Sequence, residues 1–258
     1  MELNAILALS YRDIMKFLRD PTRIVATLLF PLILIGVLGG SFQAGFGDKI
    51  GYDFLSFVFV GVMAQTLFQS SALGIISLIE DRQNDFIQEV FVSPISRYSI
   101  VLGKILGETL VSLSQGVAVM LFGLLIGVPI SLGRAIGLLY VGVIICLVGG
   151  AFGVLVLSNL KNQRAANQIF PFLMLPQIFL AGVFNPIRNL PWVLEFLSRI
   201  SPMRYAVDLA RGVFYARSPE YSHVVLARPM FNVIVIIVLF SIFFTVGTWL
   251  FVRHEQER

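Results

Sequence analysis

The 258-residue chain is poor in charge and in cysteine. Only 13% of its residues are Asp, Glu, Lys or Arg, whereas 57% are hydrophobic. The single cysteine, Cys146, excludes an internal disulfide. The two histidines, His223 and His254, lie in separate extramembrane segments, so no H-E-x-x-H or other paired-histidine site is formed. We therefore expect no metal site in this chain.

A phosphate-binding loop is also missing. Gly103-Lys104 carries Tyr98 where the motif G-x-x-x-x-G-K-[ST] needs its first glycine, and Ile105 where it needs a hydroxyl. Nucleotide hydrolysis by this route is excluded. We expect no catalytic residue and no cofactor in the chain, and no enzyme activity of its own.

Long uncharged stretches define the class of protein. The mean hydropathy is +0.87, and six runs lack Asp, Glu, Lys and Arg over the roughly 20 residues that a membrane-spanning helix needs. Their continuous apolar character differs from the alternation of barrel strands. The sequence predicts an all-α membrane protein with a single transmembrane domain, residues 1–258. Its six predicted spans are residues 22–45, 54–79, 99–127, 134–158, 165–184 and 229–252.

The segments outside these spans predict the topology. Residues 1–21 are amphipathic and predict a helix that lies in the membrane interface. We consider a topology in which both termini, including the tail 253–258, are cytoplasmic. The segments on the cytoplasmic side then hold 11 of the 19 Lys and Arg residues. Most of the others are arginines within residues 185–228, which predict short extracellular interfacial helices. Setting that folded stretch aside, the charge distribution favours cytoplasmic termini.

Residues 80–97 place charged side chains between two predicted spans. Apolar residues repeat through the centre of this segment at helical spacing, and Pro94 ends the pattern. The sequence predicts a short amphipathic helix that is exposed for contact with a partner protein. The alternative is a solvated connector between the two spans.

Few polar residues fall within the spans. Lys104 and Glu108 lie one helical turn apart at the start of span 3, which favours a structural ion pair over a proton relay. Span 2 carries Gln65 and Gln69 in a polar stripe that either lines a substrate path or supplies hydrogen bonds between helices. Four G-x-x-x-G steps predict close helix packing; they begin at Gly36, Gly103, Gly123 and Gly149.

Residues 185–228 are too polar for a span and too apolar for a loose loop. Prolines divide them, and apolar residues follow helical spacing on both sides of Pro202. Arg204, Asp208 and Arg211 are spaced so that they could pair with one another. Two readings stay open: these helices cap the bundle, or they gate it.

Two motifs together resemble the integral-membrane subunits of type-2 ATP-binding-cassette (ABC) exporters, including the drug-resistance, sodium-efflux and nodulation-factor branches. Phe86–Arg97 matches a pattern like F-L-K-E-x-L-V-[AS]-P-[IV]-[SR]-R, although Asp85 replaces the glycine that usually precedes it. The outer stretch resembles G-x-x-x-P-[IL]-x-x-L-P-x-W followed by N-P-x-x-Y-x-[VI]-[DE]-x-x-R. Trp192 falls one place early there, and Ser201 replaces the asparagine.

The resemblance implies a half-transporter that exports an amphiphilic small molecule or a lipid. Two such subunits, identical or related, would bind two cytoplasmic ATPase subunits, which carry ATP and Mg²⁺. Residues 80–97 would be the helix that couples this chain to the ATPase. The implied coupling residues are Glu80, Asp81, Arg82, Asp85, Phe86, Glu89, Val90, Phe91, Ser93 and Pro94. The implied gate or substrate-path residues are Gln65, Gln69, Phe184, Asn185, Pro186, Trp192 and Tyr205.

Alternatives in other classes remain. A polysaccharide or glycolipid exporter would share the same motifs, whereas a proton-coupled transporter would need more deep ionisable groups than Glu108. A membrane anchor or assembly factor needs no substrate path. The expected location is the cytoplasmic membrane of a bacterium or archaeon, with membrane lipid but no nucleic acid among the partners.

Overall fold

The computed structural model describes residues 2–41, 43, 45, 51–83, 96–160, 163–188 and 190–256, with the backbone alone for residues 80, 82–83 and 254–256. Every regular element in this part of the chain is a helix. The elements are α1 (Glu2–Leu18), α2 (Pro21–Ile33), α3 (Phe54–Gly74), α4 (Ile76–Gln83), α5 (Arg97–Leu125), α6 (Leu132–Leu157), α7 (Gln163–Leu180), α8 (Trp192–Ile200), α9 (Pro202–Phe214), α10 (Tyr221–Val224) and α11 (Pro229–Gln256).

Five helical segments among the described residues are long and apolar enough to cross a membrane. They are Pro21–Gly39, Phe54–Ile79, Arg97–Leu125, Leu132–Leu157 and Tyr221–Arg253. The predicted span at residues 165–184 corresponds to α7, which does not reach this standard because its first turns contain Gln163, Arg164 and Asn167. The all-helical prediction is confirmed, while the six-span layout and the orientation of the termini stay predictions.

Local sequence signals explain where the spans begin. Pro21 occupies the first turn of α2, where its missing N–H costs nothing, and the Asp20 side chain accepts a hydrogen bond from Arg23 N at 2.9 Å. Ser131 caps α6 in the same way, at 3.3 Å from Arg134 N. Past Pro31 the helix α2 continues as a π-helix over Leu34–Gly39, which fits the local loss of a backbone donor at proline.

The second span lies at the centre of the bundle. Most side chains of α3 are buried, and the helix packs against α5, α6 and α9. Gly149 and Gly153 of α6 face its backbone, since a Cβ added at either glycine would lie 2.5 Å from a carbonyl oxygen of α3. Of the four glycine steps, this one brings two helix backbones closest together. Gly40, by contrast, has open space where a Cβ would point.

The amphipathic helix α1 packs along the start of α5. Gly103 and Gly107 permit this contact, because added Cβ atoms would lie 3.2 Å from the Cα atoms of Ile6 and Ser10 respectively. Ser10 Oγ donates to the carbonyl oxygen of Gly103 at 2.9 Å. The predicted interfacial helix is therefore fixed to the bundle beside Lys104 and Glu108.

Candidate functional site

A cavity of about 390 Å³ lies between α2 and α3. Each helix contributes residues at helical spacing, and α5 adds Gln115. The α2 wall consists of Arg23, Ala26, Thr27, Phe30, Pro31 and Leu34, and the α3 wall of Val62, Gln65, Thr66, Gln69, Ser70, Leu73 and Gly74. This volume falls within the range of small-molecule sites. The polar stripe predicted on span 2 lines this cavity.

Three carboxamides, those of Gln65, Gln69 and Gln115, lie on the polar part of the cavity wall. Gln65 is 2% exposed and its Nε2 donates to Gln69 Oε1 at 3.3 Å, while its own Oε1 has no hydrogen-bond partner among the described residues. Pro31 has no N–H, so the carbonyl of Thr27 also lacks its usual helical donor. Buried polar atoms are normally paired, so the unpaired Oε1 of Gln65 marks a point on this wall where a bound molecule would supply the missing donor.

The predicted Lys104–Glu108 pair lies inside a larger arrangement, the ionic cluster of Arg12, Asp13, Asp81, Lys104 and Glu108. Lys104 Nζ lies 2.8 Å from Asp13 Oδ2, 3.5 Å from Asp81 Oδ2 and 3.8 Å from Glu108 Oε1. Arg12 binds Asp13 at 3.1 Å and also binds Asp81. The cluster joins α1, α4 and α5 at one end of the bundle. Lys104 therefore has three carboxylate partners, one on each of α1, α4 and α5, rather than Glu108 alone.

The position of Asp81 bears on the predicted coupling segment. Its side chain is 9% exposed and binds Arg12 and Lys104 within the chain, and its contact with the ATPase stays a prediction. The backbone of Glu80 and Arg82 continues α4. The other predicted coupling residues, Asp85, Phe86, Glu89, Val90, Phe91, Ser93 and Pro94, lie outside the described residues, and their role stays a prediction.

Burial alters the electrostatics of the ionic cluster. A second cavity, of about 220 Å³, adjoins it and is lined by Asp13, Lys16, Asp20, Arg23, Ser77, Lys104 and Glu108. Ser77 Oγ donates to Glu108 Oε1 at 3.1 Å, whereas Glu108 Oε2 has no hydrogen-bond partner among the described residues. For Arg12, outside the spans, burial lowers the pKa, but the carboxylates of Asp81 and Asp13 outweigh it, so the pKa is raised overall. Arg23 lines both cavities, and so connects the cluster to the carboxamide-lined cavity.

At the opposite end of α3, Arg211 of α9 is 1% exposed. Its Nη2 donates to the carbonyl oxygens of Gly182 and Val183 at 2.8 and 3.1 Å, and its guanidinium lies 3.6 Å from the centre of the Phe57 ring. Burial lowers its pKa to about 10, so it remains charged at neutral pH. Gly61 provides the space, since an added Cβ would lie 2.5 Å from Val183 O. Arg211 thus fixes the chain that follows α7.

The other polar residues of the outer motif also bind backbone groups. Asp208 accepts hydrogen bonds from the N–H groups of Leu226 and Ala227 at 2.7 and 2.9 Å, and from Asn232 Nδ2 at 2.7 Å. Tyr205 Oη donates to Arg199 O at 2.7 Å. We call Tyr205, Asp208 and Arg211 the backbone clamp.

The predicted pairing of Arg204, Asp208 and Arg211 with one another is wrong. Arg204 Nη2 instead lies 3.1 Å from Glu195. Each of the three has a different partner because the side chains point from α9 towards three different segments. Spacing along one helix could not reveal this.

The predicted gate residues are not gathered at one point. Trp192 begins α8 and is 82% exposed, whereas Tyr205 is half-buried in α9 and packs 6.3 Å from the ring of Phe231. Phe184, Asn185 and Pro186 form the connection that Arg211 holds. This arrangement accommodates either a cap or a gate, and the gate stays a prediction.

Together, the described helices and cavities define a polytopic membrane protein with a carboxamide-lined cavity and an ionic cluster at one end of the bundle. The sequence profile of the ABC-2 type transporter family matches residues 4–215, and the chain belongs to this family. It is a membrane permease subunit of an ABC transporter, a kind of subunit that works with an ABC ATPase subunit.

Individual relatives agree with this assignment. The chain is 24% identical over 249 residues to the putative transport permease ycf38 of Cyanophora paradoxa, covering 93% of this chain and 86% of the relative. It is 29% identical over 143 residues to the probable multidrug ABC transporter permease YbhR of Escherichia coli K12, covering 54% and 38%. The daunorubicin resistance ABC transporter permease protein DrrB1 of Streptomyces coeruleorubidus is 22% identical over 219 residues, covering 83% and 76%.

Several site residues were not anticipated from the sequence. The amphipathic pattern of residues 1–21 gives no sign of the partners of Arg12 and Asp13, and Arg23 belongs to no motif. Gln115 follows Ser112 and Ser114 in a predicted span, and nothing in that pattern places it beside span 2. One signal was available for Asp13 and Lys104: the glycine step Gly103 and Gly107 marks where another helix approaches α5.

Proposed function

We propose that this permease subunit exports an amphiphilic small molecule or a lipid from the cytoplasm or the inner leaflet of the membrane. The observation that carries the proposal is the cavity between α2 and α3, where apolar side chains and carboxamides share one wall. Such mixed walls suit molecules with both polar and apolar parts. The names of two relatives, a multidrug permease and a daunorubicin resistance permease, favour the same substrate class.

Transport in this proposal proceeds by alternating access. Two permease subunits, identical or related, bind two cytoplasmic ATPase subunits, and those subunits bind ATP and Mg²⁺. The complex resides in the cytoplasmic membrane with both termini of this chain inside. Residues 80–97 then face the ATPase, with Phe86 and Phe91 as apolar anchors and the charges around them as the source of specificity.

The position of the ionic cluster supports this route of coupling. The helices α4 and α5 enter and leave the segment 84–95, and both are tied to α1 through Asp81 and Lys104. A force on that segment would therefore act on α1 and on the α5 side of the bundle together. The cavity wall at Arg23 lies next to the same cluster.

The coupling proposal is tested by the double substitution Phe86→Ala and Phe91→Ala in the complex with its ATPase. We expect ATP hydrolysis to continue while export into inverted vesicles is lost, because truncated anchors no longer hold the permease to the ATPase movement. The control is Tyr98→Ala, which truncates a 44% exposed aromatic residue just beyond the segment. Normal export by the double variant would refute the assignment.

The gate proposal has its own measurement. Cysteines introduced at Phe184, Asn185, Trp192 and Tyr205 should change their reactivity towards an external thiol reagent when an ATP analogue is added. The native Cys146 is 0% exposed, so background labelling should be low. Reactivity that stays the same at all four positions would leave these helices as a cap.

A further inference from the structure

We propose that the cavity between α2 and α3 binds an anionic amphiphile whose negative group lies at Arg23 and which carries a hydroxyl at the level of Gln65. This inference rests on the proposed function, since it specifies the chemistry of the molecule that the permease receives. Three features of the cavity carry it: the single charge on its wall, an unpartnered buried carboxamide, and the distance between the two.

Of the described residues that line this cavity, Arg23 alone has an ionisable side chain. Among the described residues no carboxylate lies within 4 Å of its guanidinium, which instead stacks 5.6 Å from the centre of the Phe17 ring. Three carboxylates line the second cavity together with Arg23. Asp13 and Glu108 lie within 4 Å of Lys104, and Asp20 accepts a hydrogen bond from the backbone N–H of Arg23 rather than from its guanidinium. Since a guanidinium is permanently charged and offers several donors, it favours a carboxylate, phosphate or sulfate group.

Gln65 supplies the second feature. It is 2% exposed, and its Oε1 is buried without a hydrogen-bond partner in the described part of the chain. An unpaired buried carboxamide is costly, and a polar ligand group would remove that cost. A hydroxyl can donate and accept, so it satisfies either orientation of the carboxamide. Gln69, Thr66 and Gln115 surround this position.

The spacing of these features sets the length of the ligand. Arg23 lies near the end of α3 that carries Gly74, since both residues line the cavity between α2 and α3. Glu108 confirms this placement: it packs against Gly74 and lines the second cavity together with Arg23. Gln65 lies nine residues from Gly74 along α3, which corresponds to about 13 Å. Phe30, Leu34, Val62 and Leu73 provide apolar surface on the same walls. An aliphatic chain therefore fits between the two polar contacts.

The test measures direct binding of three matched probes: 12-hydroxydodecanoate, its methyl ester, and dodecanoate. The purified complex with its ATPase is placed in nanodiscs of neutral lipid without nucleotide, and binding is followed by scintillation proximity with empty nanodiscs subtracted. We expect the hydroxy acid to bind about tenfold more tightly than the ester. It should bind about fivefold more tightly than dodecanoate.

Substitutions assign each preference to one residue. Arg23→Gln should abolish the preference for acid over ester and keep the preference for the hydroxyl, while Arg23→Lys should retain both. Gln65→Leu should abolish the preference for the hydroxyl and keep the preference for acid over ester. The matched controls are Arg19→Gln and Gln168→Leu, which change exposed residues outside the cavity wall and should leave both preferences intact.

Equal binding of acid and ester, or a preference that survives in Arg23→Gln, would overturn the inference. Repeating the measurement in nanodiscs with phosphatidylglycerol identifies the source of the ligand: weaker probe binding there indicates a lipid head group, and unchanged binding a soluble amphiphile. Either outcome supports the proposed binding site; the two differ only in the source of the ligand. Selective binding without ATP-driven export would refute the proposed function alone, whereas export by a complex that shows no such selectivity would refute this inference alone.

Discussion

The two ends of α3 lie against buried charges that are used in different ways. In the ionic cluster, Lys104 and Arg12 bind carboxylates, side chain to side chain, across three helices. In the backbone clamp, Arg211 and Asp208 bind carbonyl and N–H groups of connecting segments. Neither clamp residue has an oppositely charged side chain as its hydrogen-bond partner in the described structure.

The difference has a physical consequence. A charge that binds the backbone holds a loop in one conformation, because the acceptor cannot move without the chain. Charges that bind other side chains can exchange partners by changing rotamers, and Lys104 already has three carboxylates within 4 Å. The clamp therefore suits a fixed end of the bundle, and the cluster suits the end that borders the predicted ATPase contact.

The largest expected effect is at the clamp. Arg211→Met removes two buried hydrogen bonds and the contact with the Phe57 ring, leaving the carbonyls of Gly182 and Val183 without this donor. We expect the free energy of unfolding to fall by about 4 kcal/mol, measured by denaturant unfolding of the purified chain in micelles. The control is Arg217→Met, at an exposed position. Equal stability of the two variants would show that Arg211 does not hold this connection.

A smaller loss with partial rescue is expected in the ionic cluster. Lys104→Met should cost about 3 kcal/mol, because it leaves Asp13, Asp81 and Glu108 with less compensation. Adding Asp13→Asn should recover part of this loss, since it removes one of the carboxylates left in excess. A double-mutant cycle measures this recovery.

The corresponding cycle in the clamp provides the contrast. Adding Asp208→Asn to Arg211→Met should bring no recovery, because the two residues bind different backbone segments. The opposite result, with recovery for Arg211 and Asp208 but none for Lys104 and Asp13, would contradict this account of the two ends of α3.

The glycines next to each region offer a third measurement. Gly61→Ala places a Cβ 2.5 Å from the fixed carbonyl oxygen of Val183. Gly107→Ala places one 2.9 Å from the terminal oxygen of Asp13, a side-chain atom, and the nearest backbone atom there, Ser10 Cα, is farther away at 3.2 Å. We expect losses of about 3 and about 1 kcal/mol respectively. Gly40→Ala, which meets open space, is the control in the same assay. A costlier change at Gly107 would mean that the cluster is as rigid as the clamp.

Much of the fold could be predicted from the sequence because membrane spans depend on composition alone. Five of the charge-free runs coincide with long apolar helices, and caps such as Asp20 and Ser131 lie where two of these helices begin. The helix α7 is the exception: Gln163, Arg164 and Asn167 reduce its hydropathy, whereas its apolar end had suggested a span.

The site was less predictable, because side chains meet through packing that a single sequence does not state. The stripe of Gln65 and Gln69 follows from helical spacing, and it lines the cavity. The partners of Lys104 on α1 and α4 are 91 and 23 residues away in the chain, so spacing could only suggest Glu108. The clamp residues were visible as a motif, but their backbone partners were not.

The smallest effect concerns the pH dependence of a surface interaction beside the clamp. Hydrogen bonds from Arg204, and then from Arg199, lower the pKa of Glu195 in the folded chain, partly opposed by burial. A lowered pKa contributes stability above the unfolded value of about 4.3, and that contribution is lost as the pH falls through the folded value. We expect the free energy of unfolding of the wild type to fall by about 0.5 kcal/mol more than that of Glu195→Gln when the pH is lowered. Unfolding at a series of pH values measures this difference.

The two arginines allow this effect to be assigned. The Arg204 side chain is 14% exposed and that of Arg199 is 69% exposed, so water weakens the second interaction more strongly. Arg204→Gln should therefore remove more of the acid-dependent loss than Arg199→Gln. If Arg199→Gln had the larger effect, Glu195 would depend on its neighbour within α8 rather than on α9.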